Sequence, residues 1–157
     1  MQMICRFRKE RELLYRSAQK KLKLPGLQNK IANLLGDIGI KSFLSLSETD
    51  EIVEQALRNN FFYHEEFAFS SLNDTWRYIE GKMQETDCYL LVDTDWQYCG
   101  AIVVDKEFRL SDDFNFDDVV CDELRFFSRE GDKVATVDFS NSINDDTYTC
   151  SYTEYEK

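Results

Sequence analysis

The chain is expected to be α+β, with N-terminal helices packed on one face of a mostly antiparallel C-terminal sheet, a β-meander. Three observations lead there. Helix-period apolar stripes crowd the first half of the 157 residues. Two short apolar runs around a polar turn, between Cys88 and Asp105, read as a central β-hairpin. Strand-like alternation with turn signals fills the last third, and helices segregated from consecutive hairpins mark the α+β class.

The elements follow in order. From about Lys9 to Leu22, Leu14, Ala18 and Leu22 recur every four positions with Leu13 and Tyr15 beside them, an amphipathic helix. Pro25 and Gly26 interrupt it, because proline belongs in the first turn of a helix. A second helix then carries Leu27, Ile31, Leu34 and Leu35 and stops near Gly36 or Gly39, so the two form an antiparallel helical hairpin. Ser47, with Asp50 three residues on, opens a helix whose buried stripe is Ile52, Val53, Ala56 and Leu57, and Asn59 and Asn60 end it. The aromatic run from Phe61 to Phe69 contains a strand.

Ser70 or Ser71 caps a helix to about Met83, in which Leu72, Trp76, Ile79 and Met83 form one face that should pack on the central hairpin. In that hairpin, Leu90 to Val92 and Ala101 to Val104 are buried on both sides, and Asp93, Thr94 and Asp95 make the turn. Phe108 and Leu110 extend the second strand or begin another, and Ser111 to Asp118 is an acidic loop. Leu124 to Ser128 and Val134 to Phe139 form a second hairpin about Glu130, Gly131 and Asp132. Asn141 to Asp146 is a polar loop, and Tyr148, Cys150 and Tyr152 alternate with Thr149, Ser151 and Thr153 as a half-buried strand.

Length and composition suit one domain with a real core, made of a basic helical arm (about 1–36) and an acidic α+β body (about 37–157). The absence of an apolar leader or a spanning run suggests a cytoplasmic protein and no membrane role. Cys5, Cys88, Cys99, Cys121 and Cys150 are odd in number and lack a Cys-x-x-Cys pair, which favours packing thiols over disulfides or zinc. The net charge of −11 is uneven. Residues 1–35 hold nine bases against Glu10 and Glu12, a balance of +7, and the remainder holds ten bases against 28 acids, a balance of −18. Such an acidic body is either a solvated surface or a docking face for a basic partner. It disfavours direct contact with nucleic acid, whose phosphates need bases to displace counterions.

The residues offer little catalytic chemistry. His64 is the only histidine, and no nucleophile motif accompanies it. Asp93 and Asp95, or Asp112, Asp113, Asp117 and Asp118, could offer oxygens to a hard cation, but neither stretch has EF-hand spacing. Glu80-Gly81-Lys82 has the Glu-x-Lys form of some nucleases but sits at a helix end rather than on a hairpin strand. Phosphate-cradling glycine motifs are absent, so no catalytic residue, metal or cofactor is assigned. Phe114 and Phe116, set among those four aspartates, either anchor a partner or turn inward to pin the loop.

With an acidic-aromatic segment from Asp112 to Asp118 and acidic turns at Asp93 and Asp145, the chain resembles, in general character, the immunity proteins of bacterial contact-dependent growth inhibition and related polymorphic toxin systems. The resemblance implies a protein that binds the toxin of its own system, often a basic nuclease, and occludes it without catalysis. The partner surface would then be Asp93, Asp95, Asp112, Asp113, Phe114, Phe116, Asp117 and Asp118. The basic first helix departs from that picture. A small metal-dependent hydrolase or nuclease using aspartates, and a non-catalytic adaptor, are the competing readings.

Overall fold

The computed structural model describes residues 2–36, 40–83, 87–142 and 145–156. Helix α1 spans Gln2–Leu35, strand β1 Ile40–Phe43, helix α2 Leu46–Arg58, strand β2 Phe61–Phe69 and helix α3 Leu72–Met83. Then come β3 (Cys88–Val92), the short helix α4 (Trp96–Cys99), β4 (Ile102–Val104), β5 (Glu123–Ser128), β6 (Lys133–Ser142) and β7 (Asp145–Tyr155). All seven strands form one antiparallel sheet in the order β1-β4-β3-β5-β6-β7-β2. The α+β class holds, and β5, β6 and β7 are the expected meander.

Strand β3 lies at the centre. It pairs with β4 over Cys88 to Leu90 on one side and with β5 along its whole length on the other, and all its side chains but the half-buried Tyr89 are buried. Cys88, Leu90 and Val92 point into the larger core with Leu27, Ile31 and Leu34 of α1 and Trp76, Ile79 and Met83 of α3. Leu91 points the other way, into a smaller core with Ala56, Ala101, Phe127 and Val134, against which Ile52 and Val53 pack. Helix α2 therefore covers the face opposite α1 and α3, which refines the expectation of helices on one face. Helix α3 lies chiefly over β6, β7 and β2, while its Trp76, Ile79 and Met83 share the larger core with the inward side chains of the β3–β4 hairpin.

The largest correction concerns the first helix. Pro25 does not divide it: α1 runs unbroken for 34 residues. An interior proline costs about 3 kcal/mol, through a lost hydrogen bond and a ring clash. Burial of Leu27, Ile31, Leu34 and Leu35, at roughly 1.5–3 kcal/mol each, offsets it. Continuity also reverses the expected stripe. The helix sets Leu13, Arg16, Leu24 and Leu27 toward the body, while Leu14, Tyr15 and Leu22 face solvent. The stop is Gly36, at φ 67°, with its N–H donating to the Ala32 carbonyl; Gly39 lies outside the described residues.

Smaller differences follow from local chemistry. Helix α2 begins two residues earlier than expected, because Ser45 and Glu48 make a complete capping box. Its Leu57 is exposed rather than buried. Ser71 does open α3: its hydroxyl accepts the Asp74 N–H, and its carbonyl accepts the Thr75 N–H. The turn after β3 continues into α4 before β4 starts. Phe108 and Leu110 belong to no strand; both are buried in the larger core, and Phe108 stacks on Phe126 at 5.6 Å. The expected loop at Asn141 to Asp146 is mostly strand, since Ser142 pairs with Asp145, and residues 143–144 lie outside the described residues.

One close approach fixes β4 against the start of α2. Gly100 sits at φ 87°, and a Cβ there would lie 2.2 Å from the Leu44 carbonyl oxygen. Next to it, the buried Thr49 hydroxyl accepts the Ala101 N–H at 2.9 Å and donates to the Ser45 carbonyl at 2.8 Å. Gly100→Ala is expected to destabilise the protein by at least about 2 kcal/mol, from left-handed strain plus the backbone clash. Urea unfolding of the two proteins side by side checks it; a loss below about 0.5 kcal/mol would show that β4 and Leu44 can separate freely.

Candidate functional site

The acidic loop is built from its apolar root outward. Phe114 and Phe116 are only 4% and 2% exposed. They meet edge-to-face at 4.8 Å, both lie against Trp76, and Phe116 stacks on Phe139 at 5.1 Å. Both rings are therefore core residues, not partner anchors. Burying two large rings in a well-packed pocket gains more than exposing them on a loop.

Hydrogen bonds close the rest of the loop. The Trp76 indole N–H donates to the Ser111 carbonyl at 2.8 Å, and the Ser111 N–H donates to the Leu34 carbonyl at 2.8 Å. The Asn115 side-chain oxygen accepts the N–H groups of Asp117 and Asp118, an Asx turn. Asp112, Asp113, Asp117 and Asp118 remain exposed on this frame. The loop thus presents four carboxylates from a fixed backbone.

Asp93 and Asp95 have a different duty. Lys30 of α1 places its Nζ 2.7 Å from Asp93 Oδ2 and 2.8 Å from Asp95 Oδ2, in a largely buried cluster. Asp93 Oδ1 accepts the backbone N–H groups of Asp122 and Glu123, which ties the start of β5 to the end of β3. Burial works against the Lys30 charge, but hydrogen bonds and attraction from both aspartates outweigh it and raise its pKa. These carboxylates are occupied within the molecule, where the sequence reading expects them to face a partner. The ammonium also stands where a cation between them would sit.

Several other titratable groups are similarly engaged. His64 lies on β2 with Nδ1 2.8 Å from the Thr153 hydroxyl oxygen. Glu80 accepts the Leu110 N–H and faces Arg109, whereas Lys82 pairs with Glu65 at 3.0 Å, so the Glu-x-Lys triplet does not converge. Glu65 accepts hydrogen bonds from Tyr63, Tyr78 and Lys82, in that order of importance, which hold its pKa down to about 2. Arg16 crosses from α1 to α2, giving a two-pronged contact to Asp50 at 2.7 and 2.9 Å and another bond to the Gln97 carbonyl. Arg16 and Asp50 line a polar cleft between α1, α2 and α4, together with Glu12, Glu54 and Gln97.

Among the described residues, no three His, Cys, Asp or Glu side chains gather as metal ligands. Cys88, Cys99, Cys121 and Cys150 are free and buried, and burial raises each thiol pKa; the side chains of Cys5 and Asp145 lie outside those described. What sequence reasoning missed is the state of β2. It is an edge strand with Phe61, Phe62, Tyr63 and Phe67 exposed. Its run of aromatics signalled a strand, but not its place in the sheet.

Compared with known proteins, the chain matches no family model, no curated protein and no solved structure.

Replacing Lys30 with Met should leave two largely buried carboxylates facing each other. The expected cost is roughly 2–4 kcal/mol, toward the lower side for a broken buried pair because some solvent reaches it. Thermal unfolding at neutral pH reads this, and an unchanged midpoint would contradict the clamp. For Glu65 the sign is opposite to that of a raised base. Its folded pKa lies below the ordinary 4.5, so its stabilisation is full above about 4.5 and fades as pH falls toward 2. The stability gap between the native protein and Glu65→Gln should therefore shrink over that window, as acid titration followed by circular dichroism would show.

Proposed function

We propose that this chain is a cytoplasmic, non-catalytic immunity-type protein that neutralises a cognate toxin, a basic nuclease domain, by stoichiometric occlusion. The supporting observation is the rigid loop that holds Asp112, Asp113, Asp117 and Asp118 exposed over the buried Phe114 and Phe116. A preorganised row of carboxylates meets a phosphate-binding surface with complementary potential and loses little order on binding. The charge left on the body after its internal pairs points the same way, since it repels nucleic acid and attracts proteins that bind nucleic acid.

The partner surface in this reading is narrower than the sequence suggested. It consists of the four loop aspartates, without Asp93, Asp95, Phe114 or Phe116. The metal-dependent hydrolase is the weaker reading, because its best carboxylate pair already holds the Lys30 ammonium. No helix among the described residues is long and apolar enough to cross a membrane, which is compatible with the proposed setting.

The test is direct titration, using calorimetry, against a toxin domain encoded beside this chain. Association should weaken by about tenfold or more between 50 and 500 mM salt, and by a similar factor when the four aspartates are changed together to Asn, with the melting temperature unchanged. Salt-independent binding that survives the fourfold change would remove this surface from the interface. An adjacent frame with no toxic activity, or no binding at all, would count against the function itself.

A further inference from the structure

Strand β2 is open on its outer side. It pairs with β7 along one edge, and its other edge ends the sheet. Phe61, Phe62 and Phe67 are 64%, 61% and 48% exposed, and no proline interrupts the strand. A nine-residue edge with unpaired backbone groups and exposed aromatics is a template for another strand. The usual protective devices are few here. A register shift between Phe61 and Tyr63 twists one end, and Glu65 and Glu66 place acids in the middle.

Those acids decide which strand fits. Two copies of β2 can meet antiparallel about a two-fold axis normal to the sheet, with residues on the same face opposite each other. Three central registers are available. Centring on His64 sets Glu66 against Phe62, and centring on Glu66 brings two exposed carboxylates face to face, which is unfavourable. Centring on Glu65 sets His64 against Glu66 twice and Tyr63 against Phe67 twice. The imidazole has a second nitrogen free to meet the facing carboxylate, since Nδ1 already contacts Thr153. At the axis, each Glu65 brings its own Lys82, Tyr63 and Tyr78, so two neutralised groups meet instead of two bare charges.

We propose that the free edge of β2 pairs with the same edge of a second copy of this chain, antiparallel and centred on Glu65, so that one sheet runs through a two-fold dimer. This inference is independent of the acidic loop and of the partner proposed for it. The pairing satisfies the outer backbone groups of β2 and covers exposed aromatic surface. The His64–Glu66 complementarity selects self-pairing over an arbitrary extended segment.

Sedimentation equilibrium of the full chain over about 1–500 μM tests it. The expected species is a dimer of twice 18.6 kDa. His64→Glu should raise the dimer dissociation constant by roughly tenfold or more, because it sets like charges opposite each other at two symmetric places. Adding Glu66→Lys to that variant should restore the dimer, which only the register centred on Glu65 allows. Both side chains are exposed, so circular dichroism should confirm that the variants stay folded. Several results would overturn the proposal: a monomer throughout the concentration range, a dimer indifferent to His64→Glu, a double variant that stays dissociated, or a dimer dispersed instead by Leu14→Glu with Leu22→Glu on α1.

Discussion

A single ammonium group ties the first helix to the middle of the sheet. Lys30 reaches from α1 to Asp93 and Asp95, at the point where β3 gives way to α4. Asp93 uses its other oxygen to hold the first two N–H groups of the segment entering β5. Helix, central strand and neighbouring strand are thus registered through one carboxylate. The residue stands at φ 47°, an uncommon conformation for a non-glycine that the surrounding bonds hold in place. With this joint made, Leu27, Ile31 and Leu34 are positioned over the sheet and α1 can continue through Pro25.

Once α1 is held this way, the rest of the architecture follows from which surfaces still need cover. Helix α3 closes the β6–β7 end of the larger core, and the loop after β4 fills the space beside Trp76 with Phe114 and Phe116. Helix α2 closes the opposite face over Leu91 and Phe127. Among the described residues, no strand pairs with the outer edge of β2. Phe116 also touches Tyr148, the partner of Phe69 at the end of β2, so the root of the acidic loop and the open edge strand both contact β7.

Features written in short-range periodicity were legible in the sequence. The β3–β4 hairpin, the α3 stripe of Trp76, Ile79 and Met83, the β5–β6 turn at Gly131 and the β2 strand all read correctly, because neighbours within a few residues decide them. Ser45-x-x-Glu48 was also present in the sequence, in competition with Ser47 and Asp50. Features decided at long range were not legible. Asp93 and Asp95 look like solvated turn acids until Lys30, 63 and 65 positions earlier, is folded against them. Phe114 and Phe116 sit between aspartates, and only Trp76, Phe139 and Tyr148 reveal them as core. The Pro25 signal was sound locally, but tertiary burial overrode it. Strand β1 has only four residues, too few to show a period.

The charge asymmetry takes on a different meaning once the chain is folded. The basic arm and the acidic body neutralise each other where they touch, through Arg16 with Asp50 and Lys30 with Asp93 and Asp95. These contacts use bases that periodicity would have assigned to a wet helix face, and they leave Leu14 and Leu22 outside. The acids that remain free therefore differ in kind from those that are paired. The loop aspartates are held by backbone turns and stand exposed, so they act on whatever approaches over a Debye length of about 8 Å. Glu66 is equally exposed, and in the proposed pairing it stands at contact, where it disfavours a strand that brings an acid opposite and suits one that brings a donor such as His64. In the two proposals, long-range selection is assigned to the loop and short-range selection to the edge strand. An apolar edge with a built-in charge code can remain exposed without becoming an indiscriminate site of association.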